Sequence, residues 1–555
     1  MNAPASPTRR PPRSTPVSDH WRANPFHRMR LGDAAPDRVE FYGNDPRAGD
    51  AERGREIERG IWRFGAERLS APSPWRAQHP SRHFTVRLHS FAWLADLAAA
   101  HAHARMAQLT DGWVEEFGEW DELAWDVELA AERLFAWLTW GRSAFEVGAP
   151  DKRIALLRSA ARHARLLLLA QNDLNDRHLA SIKAGAALVL AGAAGFPEAR
   201  RLAEQGEEML LEACAKQFHS DGGHLSRSPE ALADALADLV TALDAMEEPP
   251  QLIRDTMPKL GNMLRMLRLG DGGLGCFHGG SEANPAAIDA ILARVEGPVR
   301  AFQFANHTAF QRLESGAMRV LFDVGGAPPP SYAERAHASA LAFELSDGPE
   351  RLIVNIGAAR DLEPEARQAA RATNAHSTLV LDDALSATLE DPRRGKGAGR
   401  LIGPALDEVR RAADESGVTV QGRHDGYRAT YGLLHRRYLF IDNDGKNLRG
   451  IDELARPTKM KGAPRKSEAP YVVRFHLHPN VSAKLIEHQM ALLETAGGQR
   501  WRLRTDAPNI AVEPSIYWGG KAPRESLQIT LSGMADPMGH GLAPPNRIRW
   551  ALARA

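Results

Sequence analysis

Cysteine is almost missing from this chain: Cys214 and Cys276 are the only two in 555 residues, and their spacing matches no metal motif. That excludes a disulfide framework and a cysteine-based zinc site. Neither sign of charge is in excess, since 70 lysines and arginines balance 70 aspartates and glutamates. A chain whose main partner is nucleic acid carries a basic surplus, so that class is set aside, although a local basic groove is not. No apolar run approaches the roughly 18 residues that mark a membrane span. The opening stretch MNAPASPTRRPPRSTPVSDHWR has basic residues with no apolar core behind them. No secretory signal is read there, and a cytoplasmic protein without a membrane partner is expected. A Walker loop and a GxSxG elbow are both missing, which sets aside nucleotide hydrolysis and serine-hydrolase chemistry. The glycine-rich piece GDGGLGCFHGG does not follow a strand, and it reads as a turn between two halves of the molecule.

What is present falls into two patterns. The chain is too long for one compact core, so two or more domains are expected. Residues 1–58, rich in Pro, Arg, Asp and Gly, read as an irregular arm that wraps a surface. From 59 to 300, stretches such as AWDVELAAERLFAWLTWGRSAF and KRIALLRSAARHARLLLLAQ repeat apolar residues at three- and four-residue steps. Several are apolar on more than one face, which predicts layered helices joined as antiparallel hairpins. From 301 to 555 the period drops to two in MRVLFDVG, ALAFELSDGPERLIVNIG, YVVRFHLHP and LQITLSGM, with turn signals such as SDGPER and DNDGKN between strands. A helical domain followed by antiparallel sheets is expected, with a site in the cleft between them.

Polar residues stand out against these patterns. In DGGHLSRSPEAL, Ser228 reads as a helix cap and Pro229 as a first-turn proline, with His224 and Arg227 in the loop before them. In LNDRHLAS, Asn175 and Asp176 are available as caps ahead of Arg177 and His178. RFHLHP places Arg474, His476 and His478 on one strand face, and His424 and His435 flank the preceding hairpin. Unpaired buried charge is costly, so this set faces solvent, a cleft or each other. An anion-binding groove and a solvated face both remain open.

Taken together, these stretches resemble the heparinase II/III family of polysaccharide lyases. DGGHLSRSPEAL, VLFDVGGAPPPSYAERAHASALAFELS, ATNAHSTLVLDD, RHDGYRATYGLLHRRYLFI and SIYWGGKAPRESLQITLSG carry the likeness, which runs from about residue 75 to 550. The resemblance implies an incomplete (α/α) toroid joined to a large antiparallel β-sandwich. It also implies cleavage of an acidic, uronate-containing glycan by β-elimination. That chemistry needs the uronate carboxylate neutralised, a base for its α-proton, and an acid for the leaving oxygen.

The resemblance also assigns roles, with departures. His178 matches a family histidine, but the preceding residue is Arg177 where the family has Asn. A guanidinium fits a carboxylate, so Arg177, Arg227 and Arg335 are candidate neutralisers, and His178 or His224 is the base. The family's usual tyrosine, two residues after Pro229, is Ala231 here; Tyr427 is the substitute acid, its other reading being an aromatic strand residue. Where relatives carry His-x-His-x-Asp, this chain has Arg335, His337 and Ser339. A structural zinc in relatives corresponds to His337, Asn355 and His376, although Asn brings no charge to a zinc site. No cofactor is required for the reaction. Glu230, His424, His435, Arg474 and His478 complete the substrate-binding set. A glycoside hydrolase on the same scaffold is the alternative, using carboxylates such as Glu230, Asp425 or Glu334. A non-catalytic glycan-binding protein is the third reading. Relatives often form homodimers, though no self-complementary patch marks one here.

Overall fold

A computed structural model of the chain describes residues 31–175, 178–359, 362, 364–390, 399–457, 468–537 and 546–555. Arg177 lies outside the described residues, as does the side chain of His178.

Residues 32–50 run along the helices rather than forming elements of their own. Glu40 N–H donates to Ala194 O (3.1 Å) and Gly43 N–H to Leu138 O (2.9 Å). Where the sequence suggests that this irregular stretch continues to 58, Ala51–Glu58 is a helix, because Asp50 caps it by accepting the N–H groups of Glu52 and Arg53. Longer helices follow, including Val127–Trp140, His178–Ala193, Ala199–Lys216, Pro229–Leu243 and Gln251–Met266. Val127–Trp140 starts at the Asp126 cap and is buried on most of its surface, as its near-continuous apolar sequence requires. Pro229–Leu243 starts as expected, with Ser228 accepting Ala231 N–H and Pro229 in the first turn.

Beyond Phe304 strands dominate the described residues, paired antiparallel, with short helices such as Pro364–Ala370 and Arg428–Tyr431 between them. One sheet has eight strands, in the order Leu406–Asp414, Gly417–His424, Leu434–Asp442, Asn447–Ala455, Arg547–Arg554, Arg500–Thr505, Met490–Thr495 and Val481–Glu487. The other has nine, running from Asn509–Tyr517 through Arg524–Ala535, Ala469–Leu477, Glu350–Val354, Phe343–Asp347 and Met318–Asp323 to Phe310–Ser315 and Phe304–Ala305. Leu379–Leu381 pairs beside Ala469–Leu477. Alternate residues such as Val473, Phe475, Leu439, Ile441 and Leu503 meet in one apolar core between the sheets. The hairpins anticipated at SDGPER and DNDGKN are present, joining Phe343–Asp347 to Glu350–Val354 and Leu434–Asp442 to Asn447–Ala455.

Two matching turns fasten the helices to the sheets. Ala199–Lys216 is followed by Asp221-Gly222-Gly223, and Gln251–Met266 by Asp271-Gly272-Gly273. Each makes a small bridge, Phe218 with His224 and Arg268 with Leu274. The first glycine of each has positive φ, +91° and +83°, which favours glycine. The second glycine leaves room for a partner from the strand region: a Cβ at Gly223 would lie 1.7 Å from Thr308 Oγ1, and one at Gly273 2.5 Å from Arg351 Nη2. The aspartate then binds that partner. Asp221 accepts His307 N–H (2.8 Å), Thr308 N–H (2.9 Å) and Thr308 O–H (2.6 Å). Asp271 accepts Arg351 Nε–H (2.8 Å) and Nη2–H (3.2 Å). The GDGGLGCFHGG piece is therefore not the junction between halves: the helix Pro285–Ala293 follows it.

Candidate functional site

A cavity of about 400 Å³ opens between the helices and the sheets. Helix periodicity builds its helical side. Glu132, Phe135, Ala136 and Trp140 lie on one face of Val127–Trp140, and Ala231, Asp234, Ala235 and Asp238 on one face of Pro229–Leu243. Ile182 and Lys183 come from His178–Ala193, and the irregular segment delivers Asp45 and Arg47. The loop after Asp221 supplies His224, Ser226 and Ser228, and the loop after Asp271 supplies His278 and Gly279. Tyr332 and Arg335, between Met318–Asp323 and Phe343–Asp347, close the sheet side.

The helical floor is a charge network. Arg47 donates to Asp45 (2.9 Å) and Asp238 (2.5 Å) and lies 3.6 Å from Asp234. Lys183 donates to Asp238 (2.8 Å) and sits 4.5 Å from the centroid of the Phe135 ring. On the opposite wall His224 is buried, its Nδ1 within 2.7 Å of Ser226 Oγ and accepting Ser226 N–H (3.2 Å). With Nδ1 accepting from the Ser226 amide, the ring carries its proton on Nε2. The Tyr332 ring meets His224 edge-on at 5.3 Å between centroids. Burial raises the Tyr332 pKa and keeps the phenol protonated.

Of the residues singled out from the sequence, His224 and Arg335 line this cavity. His178 opens the helix one turn before Ile182, which does line it. The others are placed elsewhere. Tyr427 is buried in the core between the sheets, donating to Leu379 O (2.9 Å), so it does not reach the cavity. His424 and His435 belong to a closed interior relay. Gly426 N–H donates to His424 Nδ1 (3.1 Å), His424 Nε2 faces His435 Nδ1 (3.1 Å), and His435 Nε2 reaches Asp452 (2.9 Å). Arg437 and the Trp550 indole also bind Asp452. Burial lowers the pKa of both histidines, and their ring nitrogens are engaged inside the fold, so this is a satisfied interior network and not an anion groove.

Arg227 lies behind the cavity wall with its donors consumed. It binds Thr308 O (2.9 Å), Gly326 O (2.6 Å), Ala309 O (3.1 Å), His278 Nε2 (3.0 Å) and the buried Asp323. It is a buried ion pair that ties the loop to the strand, with nothing left for a substrate carboxylate. Glu230 accepts Ser281 N–H (2.6 Å) in the first helical turn, and Asp425 accepts Ala405 N–H (2.9 Å). Neither lines the cavity; Glu334 is exposed and does not line it either. Arg474 donates to Gln528 (3.1 Å) on the sheet face, and His476 spans Ser515 and Asn374 O. His478 lines a second cavity of about 300 Å³, with Asp271, Glu282, Arg351 and Arg524.

His337, Asn355 and His376 do not assemble as metal ligands. His376 Nδ1 donates to Ala372 O (2.8 Å), which leaves its Nε2 to accept from His337 Nδ1 (3.2 Å). Asn355 turns away, donating to Glu344 (3.1 Å) and accepting Ser377 N–H (3.0 Å). Among the described residues no three His, Cys, Asp or Glu side chains gather as a metal site. The pair instead backs the cavity wall, His337 N–H reaching His278 Nδ1 (3.4 Å).

Sequence reasoning missed Tyr332, His278, Asp234 and Lys183, and the partners Asp45 and Arg47. Asp234 and Asp238 could have been found by the four-residue step they share with Pro229–Leu243; Asp45 and Arg47 follow no period.

Comparison with known proteins fits this architecture. The heparinase II/III-like C-terminal family profile matches residues 297–551. FtsZ-localized protein C of Caulobacter vibrioides is 32% identical over 560 aligned positions, covering 97% of this chain and 94% of that protein. The chain belongs to the heparinase II/III-like family. Its fold is that of the polysaccharide lyases of this family. A heparinase III crystal structure superposes with a TM-score of 0.64 at 13% identity, covering 87% of this chain and 79% of its own. The heparan sulfate lyase HepC of Pedobacter heparinus gives 0.52 at 15% identity, covering 95% and 87%. Among the described residues, no helix of this family member is long and apolar enough to cross a membrane.

Proposed function

We propose that the protein is a lyase that cleaves a uronate-bearing glycan by β-elimination in the cavity between the helices and the sheets. The observation that supports this most is that His224, Tyr332 and Arg335 line one cavity on a lyase fold. Arg335, which has no ion pair with another described residue, and the Nε2–H of His224 bind the uronate carboxylate and stabilise charge as the α-proton leaves. His178, at the start of the helix that carries Lys183, takes that proton. Tyr332, kept protonated by burial, supplies one to the departing glycosidic oxygen in place of Tyr427. In this reading the helices form an incomplete toroid, and no metal takes part in the reaction.

Incubation with a panel of acidic polysaccharides and oligosaccharides tests the proposal. The expected product carries an unsaturated uronate, seen as new ultraviolet absorbance. Sugars released without that absorbance sink the lyase reading and favour a hydrolase.

A second reading rests on the full-length likeness to FtsZ-localized protein C. On it, the protein sits with FtsZ and holds a glycan without cleaving it. Co-sedimentation with FtsZ polymers together with glycan binding and no turnover is the expected result; failure to co-sediment removes it.

A further inference from the structure

The cavity has two electrical ends, and they ask for a ligand with two charges. Four carboxylates line its helical side: Asp45, Glu132, Asp234 and Asp238. Arg47 and Lys183 are already committed to Asp45 and Asp238, and Arg87 is the third cation on this side. Arg47 reaches Asp234 only at 3.6 Å, and the Asp234 side chain is 55% exposed. Glu132 makes no hydrogen bond or ion pair with any described residue, although it is half-buried and lines the cavity. Burial raises its pKa, outweighing the opposing pull of Lys183 and Arg87. Across the cavity Arg335 is exposed and without an acidic partner among the described residues. A densely anionic glycan would meet this floor with like charge.

We propose that the cavity takes a dipolar stretch of glycan, with the uronate carboxylate at Arg335 and a sugar bearing a free ammonium group at Glu132 and Asp234. This rests on the reading of the cavity as a glycan site and narrows its ligand to an acidic sugar joined to an unsubstituted amino sugar. The ammonium supplies the direct hydrogen-bonding partner that Glu132 lacks among the described residues, and Trp140 offers an apolar face in the same cavity.

The test uses one uronate–glucosamine oligosaccharide in three forms: free amine, N-acetylated and N-sulfonated. Binding of each to the full chain is measured by calorimetry, and turnover is followed in parallel. The free amine is expected to bind about tenfold tighter than the N-acetyl form, with the N-sulfonated form weakest. Glu132→Gln should remove that preference and leave N-acetyl binding unchanged. Asp234→Asn, at an exposed position that does not endanger folding, should reduce the preference in the same direction. Equal binding of the amine and N-acetyl forms, or tightest binding of the N-sulfonated form, overturns the proposal. Amine-selective binding without an unsaturated product sinks only the lyase reading. If none of the three forms binds, both fall.

Discussion

The turns at Asp221 and Asp271 share a backbone and differ in what comes next. In each, an amide returns to close the turn: His219 N–H to Gly223 O (2.7 Å) in one, Leu269 N–H to Gly273 O (2.9 Å) in the other. In each, the aspartate accepts the second glycine's N–H and a partner from the strand region. The residue after the second glycine is His224 in the first copy and Leu274 in the second. His224 faces the larger cavity, and Leu274 is buried in the helical core. Two residues further on, Ser226 supports the His224 ring, while Cys276 lies 3.7 Å from the Tyr517 hydroxyl. The difference teaches that fastening and chemistry are separable: one turn, built once for attachment, can carry a reactive side chain in one copy and a core side chain in the other.

His224→Leu erases that distinction by giving the first turn the side chain of the second. If the cavity is a lyase site, losing this charge-stabilising donor should lower the rate of unsaturated product formation by roughly 10² to 10³. His478→Ala, in the second cavity, should leave the rate unchanged. Equal losses in both variants would mean that the chemistry does not belong to the first copy. Asp271→Ala breaks the second fastening. Arg351, 1% exposed at its side chain, would keep its hydrogen bond to Leu274 O (2.9 Å) but only the more distant carboxylates of Glu282 and Glu344, each 3.8 Å away. Leaving a buried guanidinium without its close partner should cost about 4 kcal/mol, read from urea unfolding. A loss under about 1 kcal/mol would show that Arg351 is held by its other neighbours.

The second copy also sits beside a pH-sensitive group that the first lacks. Glu344 is fully buried next to Cys276 N–H and Asn355, and burial raises its pKa from 4.5 to about 7. Its folded pKa lies above its unfolded one, so the folded state binds the extra proton between the two values. The stability contributed is full below the ordinary carboxyl range and lost as pH rises through about 7. Across that window the loss is roughly 3 kcal/mol. Glu344→Gln should remove this slope from the variant, so its stability difference from wild type should change by about that amount when urea unfolding is followed from acid to mildly alkaline pH. A difference that stays flat across the window contradicts the assignment.

Much of the fold was legible because its signals are local. Period-two stretches such as FELSDGPERLIV gave their hairpins, and the Ser228-Pro229 pair gave a helix start. The site was legible in part. His224 stands in a marked loop, but Tyr332 stands among prolines with no period, and Asp45 and Arg47 reach the cavity from a segment whose course is set by tertiary contacts alone. His424, His435 and Tyr427 misled for the opposite reason. Strand alternation says which face a residue takes, and not whether that face meets solvent, a cleft or the second sheet. Here Tyr427 meets Leu379 of the other sheet, and the histidines meet Asp452 on the neighbouring strand of their own sheet.

Asp221→Ala is the gentler counterpart of Asp271→Ala, and it sharpens the comparison most finely. Asp221 accepts from the N–H groups of Gly223, His307 and Thr308 and from the Thr308 hydroxyl, all uncharged donors. Removing it strands no buried charge, and His307 is exposed enough for water to take over its N–H. The expected loss is therefore about 2 kcal/mol, the cost of partly buried donors left unsatisfied. Turnover should also fall, because the turn that Asp221 ties to Thr308 is the one that holds His224, one residue beyond Gly223. The paired readout matters: a loss of stability in both aspartate variants, with a loss of turnover at the activity-bearing copy beyond that at Asp271, is the pattern expected if attachment is shared and chemistry is not. Equal turnover losses per unit of lost stability would make both turns structural and move the reactive group elsewhere in the cavity.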